Sequence, residues 1–197
     1  MVNHSKGFLA KFANTAKTTA AFLNEIHQLD IPMVGLDASL ALCFRDEYKQ
    51  ALGEGRGDFE VKLAHEWLIT LIDSKVNPVS TRQSASTIAY KLFAHCTEKT
   101  ALAGSEGQWV QIFKHFGLHL SNTSVGCCGM AGTYGHEKVN LDNSTALYKM
   151  SWQDKVAQLT TEQILVTGYS CRSQIKRLDN KVTLHPVQAL LQEIENL

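Results

Sequence analysis

Apolar residues recur along this chain with two periods, and their alternation predicts the fold class before any motif is considered. Over residues 8–29 the positions Leu9, Phe12, Ala16, Ala20, Leu23 and Ile26 follow helical spacing, which predicts one amphipathic helix. Residues 32–36 (PMVGL) predict a short buried strand, and Asp37 or Ser39 is placed to cap a helix running to Leu52. A glycine-rich connector at 53–57 leads to a helix over 63–72 and a polar stretch over 77–86. Residues 87–93 predict the next strand. Trp109, Ile112, Phe113 and Phe116 then share one face of a helix over 108–116 that Gly117 ends. A strand over 119–125, a helix over 144–159, a strand over 163–167 and a closing helix over 186–194, opened by Pro186, complete the order.

Strands alternating with helices predict an α/β fold: a mainly parallel sheet covered by helices, in a Rossmann-like three-layer arrangement. Functional loops of such a sheet lie beyond the carboxyl ends of its strands. The 197 residues, 44% of them hydrophobic, suffice for a sizeable core, and the expectation is a single domain over 1–197. Nineteen basic residues balance nineteen acidic ones, and no stretch gathers a phosphate-tracking face, so nucleic acid is excluded as the expected partner. No apolar run reaches the roughly 20 residues that span a bilayer, and the N-terminus lacks a secretory signal. A soluble, cytoplasmic protein without a transmembrane segment is expected. No GxGxxG phrase follows a strand, so the chain itself carries no dinucleotide fingerprint.

Five cysteines are too few for a disulfide scaffold of this size. Four of them fall after predicted strands: Cys96 after 87–93, Cys127 and Cys128 after 119–125, and Cys171 after 163–167. A parallel sheet brings those loops to one edge. Four soft thiolates suit zinc or an iron–sulfur cluster, which makes Cys96, Cys127, Cys128 and Cys171 the candidate ligands. Two other readings stand beside this one: small buried hydrophobes, or redox thiols. In GCCGMAGTYG (126–135) four glycines let the backbone turn tightly around the cysteine pair. Cys43, between Leu42 and Phe44 in a predicted helix, is assigned to core packing. His95, His136, Arg172 and Lys176 are nearby polar candidates, each weighed against an ordinary solvated role. His185 before Pro186 is expected to fix the entry to the last helix, and Arg45, Asp46 and Glu47 to form exposed ion pairs.

The phrases RDEY (45–48), Cys96, GCCGMAGTYG, GYSCRSQIKR (168–177) and His185-Pro186 resemble the cysteine-rich CCG domain. That domain occurs in the heterodisulfide reductase B subunit, the anaerobic glycerol-3-phosphate dehydrogenase C subunit and the glycolate oxidase iron–sulfur subunit. It also closes fused FAD-linked oxidases of the D-2-hydroxyglutarate or D-lactate dehydrogenase type. The resemblance runs from about Met33 onward. It implies an iron–sulfur cluster, or zinc, on Cys96, Cys127, Cys128 and Cys171, and an electron-transfer role within an oxidoreductase. It also implies that the chain is the C-terminal part of a longer polypeptide, with flavin and ferredoxin-type domains, FAD and a 2-hydroxy acid substrate belonging to the upstream part. Gly168 stands where the family places a fifth cysteine, and Leu40 where some relatives have another. A structural zinc domain that docks other domains is the alternative.

Overall fold

The helical period over residues 8–29 is realised as a single helix. In a computed structural model describing residues 2–74 and 86–195, the chain falls into two units, Met1–Ala64 and His65–Leu197. The first contains α1 (Val2–Ser5), α2 (Leu9–Gln28), β1 (Met33–Gly35), α3 (Ala38–Arg45), α4 (Glu47–Leu52) and β2 (Val61–Leu63). Of the predicted stripe, Phe12, Ala16 and Ala20 are buried, and Phe12 meets the ring of Tyr48 on α4 edge-on at 5.6 Å. The helix expected to run to Leu52 breaks at Asp46 into α3 and α4. Asp37 is its cap, its carboxylate accepting from the Leu40 N–H and the Ser39 hydroxyl.

Cys43 lies on the inner face of α3, 1% exposed. Burial first, and then the Glu47 carboxylate, push its thiol up to about 11. At pH 8 only about a thousandth of it is then thiolate, so iodoacetamide is expected to leave Cys43 unmodified in the folded protein and to label it in denaturant. Labelling of the native protein at the rate of an exposed thiol would contradict the core assignment.

The second unit continues from α5 (Ala64–Asp73) with β3 (Ala89–Phe93), α6 (Cys96–Ala101), α7 (Ser105–His115), β4 (His119–Asn122), α8 (Leu141–Ser151), α9 (Gln153–Ala157), β5 (Ile164–Val166), α10 (Tyr169–Asp179) and α11 (Pro186–Glu195). Every strand pairing among the described residues is parallel, and helices cover the strands, as the α/β alternation predicts. The strands form two sheets, however: β1 with β2, and β3 between β4 and β5. The helix expected over 144–159 starts earlier and divides at Trp152 into α8 and α9. The polar stretch over 77–86 lies outside the described residues apart from Ser86.

Core packing in this unit backs its sheet edge. Phe93, Ile164 and Val166 from the strands meet Tyr148, Trp152, Val156 and Ile175 from the helices, all fully buried or nearly so. Each such side chain contributes about 1.5–3 kcal/mol through removal from water. Cys128, Met130 and Cys171 belong to the same cluster. The floor of the candidate site is therefore the hydrophobic core itself.

Candidate metal centre

The register of the three-stranded sheet sets where the cysteines emerge. Leu92 pairs with Asn122 and Phe93 with Val166. Beyond the ladder, the Thr123 N–H donates to Leu92 O at 2.8 Å, so β3, β4 and β5 all end at one edge. The predicted convergence at the carboxyl ends of parallel strands is thus observed. Two of the expected loops are helix starts instead. Cys96 is the first residue of α6, and Cys171 lies in the first turn of α10. The unsatisfied N–H groups of a helix start favour negative charge, which a loop would not offer to the same degree.

The four thiols touch one another in series: Cys96 with Cys127, Cys127 with Cys128, and Cys128 with Cys171. Cys127 is held far below the usual thiol range. Donation from Cys128 is the largest cause and donation from Cys96 the next, outweighing burial, while the Gly129 N–H at 3.3 Å and His95 add to the effect. Cys96 and Cys128 are pushed up, first by their hydrogen bonds to Cys127. Burial adds to this in both, and contact with Cys171 adds to it in Cys128. Cys128 and Cys171 are buried, whereas Cys96 and Cys127 are half-buried. One side of the cluster faces the core and the other faces water.

Among the described residues no group of three or more His, Cys, Asp or Glu side chains is already arranged to hold a metal ion. The hydrogen-bonded thiols nonetheless fit one in kind and number. Four sulfurs converge, and four thiolates are the donor set of a tetrathiolate zinc or iron–sulfur site. Uptake would require loss of the protons shared between the thiols and closer approach of the sulfurs.

The loop carrying the pair is braced from both sides. Lys99 Nζ donates to Val125 O at 2.6 Å, and Lys155 Nζ donates to Ser124 O. Gly126 donates to Ser151 Oγ and accepts from Trp152 Nε1, both at 3.0 Å. Past the cysteines, Gly129 adopts φ +84° against α8, and a Cβ there would lie 2.2 Å from Ser144 O. Ser144 Oγ accepts from Gln174 Nε2 at 3.0 Å and Arg177 Nη2 at 3.1 Å, while Arg177 Nη1 donates to Gly135 O. Sequence reasoning missed this clamp. Its one signal is the spacing Cys171, Gln174, Arg177, which puts all three along one side of α10.

A second buried network ties two strand ends together. Glu98, 1% exposed, accepts from Thr167 Oγ1 at 2.5 Å and Trp109 Nε1 at 3.2 Å, with His65 Nδ1 3.6 Å away. Thr167 Oγ1 in turn accepts from the His95 N–H at 2.9 Å. Residues following β3 and β5 are thereby locked to α6. Glu98 was also missed, because a carboxylate in CTEKTA (96–101) reads as solvated helix surface.

The remaining sequence candidates divide. His95 is buried at the thiols and caps α6, its Nδ1 accepting from the Thr97 N–H. His136 is exposed at the end of a short 3₁₀ turn. His185 is buried and fixes the start of α11 as expected, its Nδ1 accepting from the Val187 N–H. Arg172 donates to Val166 O at 2.8 Å, bracing the end of β5, and Lys176 is exposed. Arg45 gives Nε and Nη2 to Val61 O. At Gly168, where the family pattern places a fifth cysteine, a Cβ would lie 2.3 Å from His95 Cδ2, so the His95 ring fills that position.

No protein-family model matches the chain, and no solved structure does. The chain is similar to D-2-hydroxyglutarate dehydrogenase of Escherichia coli (strain K12), at 54% identity over 192 residues. That match covers 98% of this chain and 18% of the relative. The enzyme of the same name from Haemophilus influenzae is 46% identical over 98% of this chain and 19% of its own length. The C subunit of the anaerobic glycerol-3-phosphate dehydrogenase of Escherichia coli (strain K12) is 24% identical over 96% of this chain and 48% of its own length. The chain therefore spans about a fifth of the length of these dehydrogenases. No described helix is long and apolar enough to cross a membrane.

Proposed function

We propose that residues 1–197 act as one CCG-type cysteine-rich module of a longer FAD-linked 2-hydroxy acid dehydrogenase, and that the module handles electrons. The observation that carries the reading is the convergence of four thiols at one edge of a parallel sheet, in a chain similar to part of dehydrogenases. Cys96, Cys127, Cys128 and Cys171 would hold an iron–sulfur cluster, and FAD and a 2-hydroxy acid of the D-2-hydroxyglutarate kind would be bound by other domains of the same polypeptide. A cluster bound there would supply one-electron transfer. The chain's own part is to hold four sulfurs in register, to keep water from the inner pair through the Met130, Tyr148 and Trp152 wall, and to stabilise negative charge. That last task falls to the starts of α6 and α10, the Gly129 N–H and the nearby Lys99. A cytoplasmic location, where thiols stay reduced, belongs to the same proposal.

A structural zinc site is the second reading, favoured by Gly168, because four thiolates close a tetrahedral zinc site without a fifth. Anaerobic purification followed by iron, acid-labile sulfide and zinc determination separates the two. Iron and sulfide in stoichiometric amounts are expected. Stoichiometric zinc without iron would sink the electron-transfer reading, and a chain that takes up neither metal would sink both.

A further inference from the structure

The four thiols form two pairs with different surroundings. Cys128 is 3% exposed and Cys171 1%, and both belong to the core cluster of Met130, Tyr148 and Trp152. Cys96 and Cys127 are half-buried, and Thr97 and Gly126 beside them in the chain are exposed, so a small solute reaches this outer pair from water. The two outer sulfurs touch although they belong to different segments: Cys96 opens α6 after β3, and Cys127 sits in the loop after β4. The β3–β4 register and the Thr123 N–H bond to Leu92 O hold those two strand ends side by side. The other pairings are poorer. Neighbouring Cα atoms stand about 3.8 Å apart across a trans peptide, short of the about 4.4–6.8 Å of an ordinary disulfide, which disfavours Cys127 with Cys128. Cys128 and Cys171 touch as well, but both are closed to solvent.

We propose that Cys96 and Cys127 are a reversible oxidation site: hydrogen peroxide joins them in a disulfide, spares Cys128 and Cys171, and thereby closes the thiol site to metal. The bridge itself does not depend on the thiols holding a metal, whereas its effect on uptake rests on that reading. In the first step one outer sulfur attacks a peroxide oxygen and the O–O bond breaks, giving a sulfenic acid and one water. The other outer sulfur then attacks the sulfenic sulfur. The S–S bond forms, the S–O bond breaks, and the oxygen leaves as a second water with the proton of the second thiol. Two electrons have passed from the thiol pair to the peroxide. A dithiol reductant reverses the bridge by exchange. A bridged pair offers no thiolate, which leaves two sulfurs where a tetrathiolate site needs four.

The test takes the full chain, reduced and stripped of metal by a chelator, and treats it with a slight excess of hydrogen peroxide. Remaining thiols are capped with iodoacetamide in denaturant, and the digest is mapped by mass spectrometry without reduction. The expected product joins Cys96 to Cys127 and carries the cap on Cys43, Cys128 and Cys171, with fragment ions placing the cap on Cys128 and not on Cys127. Zinc uptake, followed by equilibrium dialysis, is expected in the reduced chain, lost after peroxide and regained with dithiothreitol. Cys128→Ser is expected to form the same bridge as the parent. Cys96→Ser is expected to form none and to leave a sulfenic acid on Cys127 that dimedone traps. Circular dichroism melts of each variant confirm folding. A bridge through Cys128 or Cys171, or a sulfinic acid with no bridge, would overturn the oxidation site. A bridged chain that takes up zinc as the reduced chain does would overturn the closure. A reduced chain that takes up no zinc would sink the metal reading and the closure with it, while the peptide map still decides the oxidation site.

Discussion

Replacing Glu98 with alanine is expected to cost the fold about 3–5 kcal/mol, the range for removing one member of a buried, hydrogen-bonded charged group. The side chain is 1% exposed, and three groups converge on it: the Thr167 hydroxyl, the Trp109 indole N–H and His65 Nδ1. Without the carboxylate, none of the three regains water, and each bears a desolvation cost of about 1–3 kcal/mol. Glu98→Gln keeps the volume and one acceptor, so its loss should be clearly smaller. The two are distinguished by chemical denaturation followed through tryptophan fluorescence, with an unchanged m-value marking a pure stability effect. A loss below about 1 kcal/mol for Glu98→Ala would show that the network does not hold the strand ends. Because Thr167 Oγ1 also accepts from the His95 N–H, the same substitution should loosen the approach of Cys96 to Cys171 and weaken metal uptake.

Glu98 also marks where reading the sequence stops. Alternating apolar runs and helical stripes located β1, β3, β4 and β5, though not the three-residue β2, and with them the parallel order and the edge at which Cys96, Cys127, Cys128 and Cys171 meet, because periodicity reports which face is buried. It failed for α10, whose inner face is Cys171, Gln174 and Ile175. Gln174 is fully buried on Ser144, so the stripe contains a polar position and the segment GYSCRSQIKR shows no clean period. It failed for α6 for a related reason, since its buried member is Glu98 and its cap is a histidine. In both cases burial is decided by a partner 11 to 69 residues away for Glu98, or 30 residues away for Gln174, and no local pattern encodes such a partner. Gly168 was visible as a departure from the CCG pattern. Its physical meaning, the seat of the His95 ring, required coordinates.

The glycine loop yields the other large effect, and a matched control lies three residues away. Gly129 and Gly132 both have positive φ, +84° and +67°, so alanine at either pays for a left-handed backbone, about 1–3 kcal/mol. At Gly132 nothing lies within 4 Å of the new Cβ, and the strain is the whole cost. At Gly129 the Cβ would stand 2.2 Å from Ser144 O and 3.0 Å from its carbonyl carbon, atoms of the α8 backbone that cannot rotate away. Overpacking adds about 1–3 kcal/mol, so Gly129→Ala should lose about 2–6 kcal/mol in total and exceed Gly132→Ala by the packing share. The loop must also lift from α8 to relieve the contact, which withdraws the Gly129 N–H from Cys127 Sγ and shifts Cys128 off the core. Gly129→Ala is accordingly expected to lose metal uptake as well as stability, while Gly132→Ala keeps uptake. Denaturation midpoints and metal analysis of the two variants side by side provide the check. Equal losses would mean that glycine is needed at 129 for its backbone angle alone, and that the close seating of the cysteine loop on α8 does not build the site.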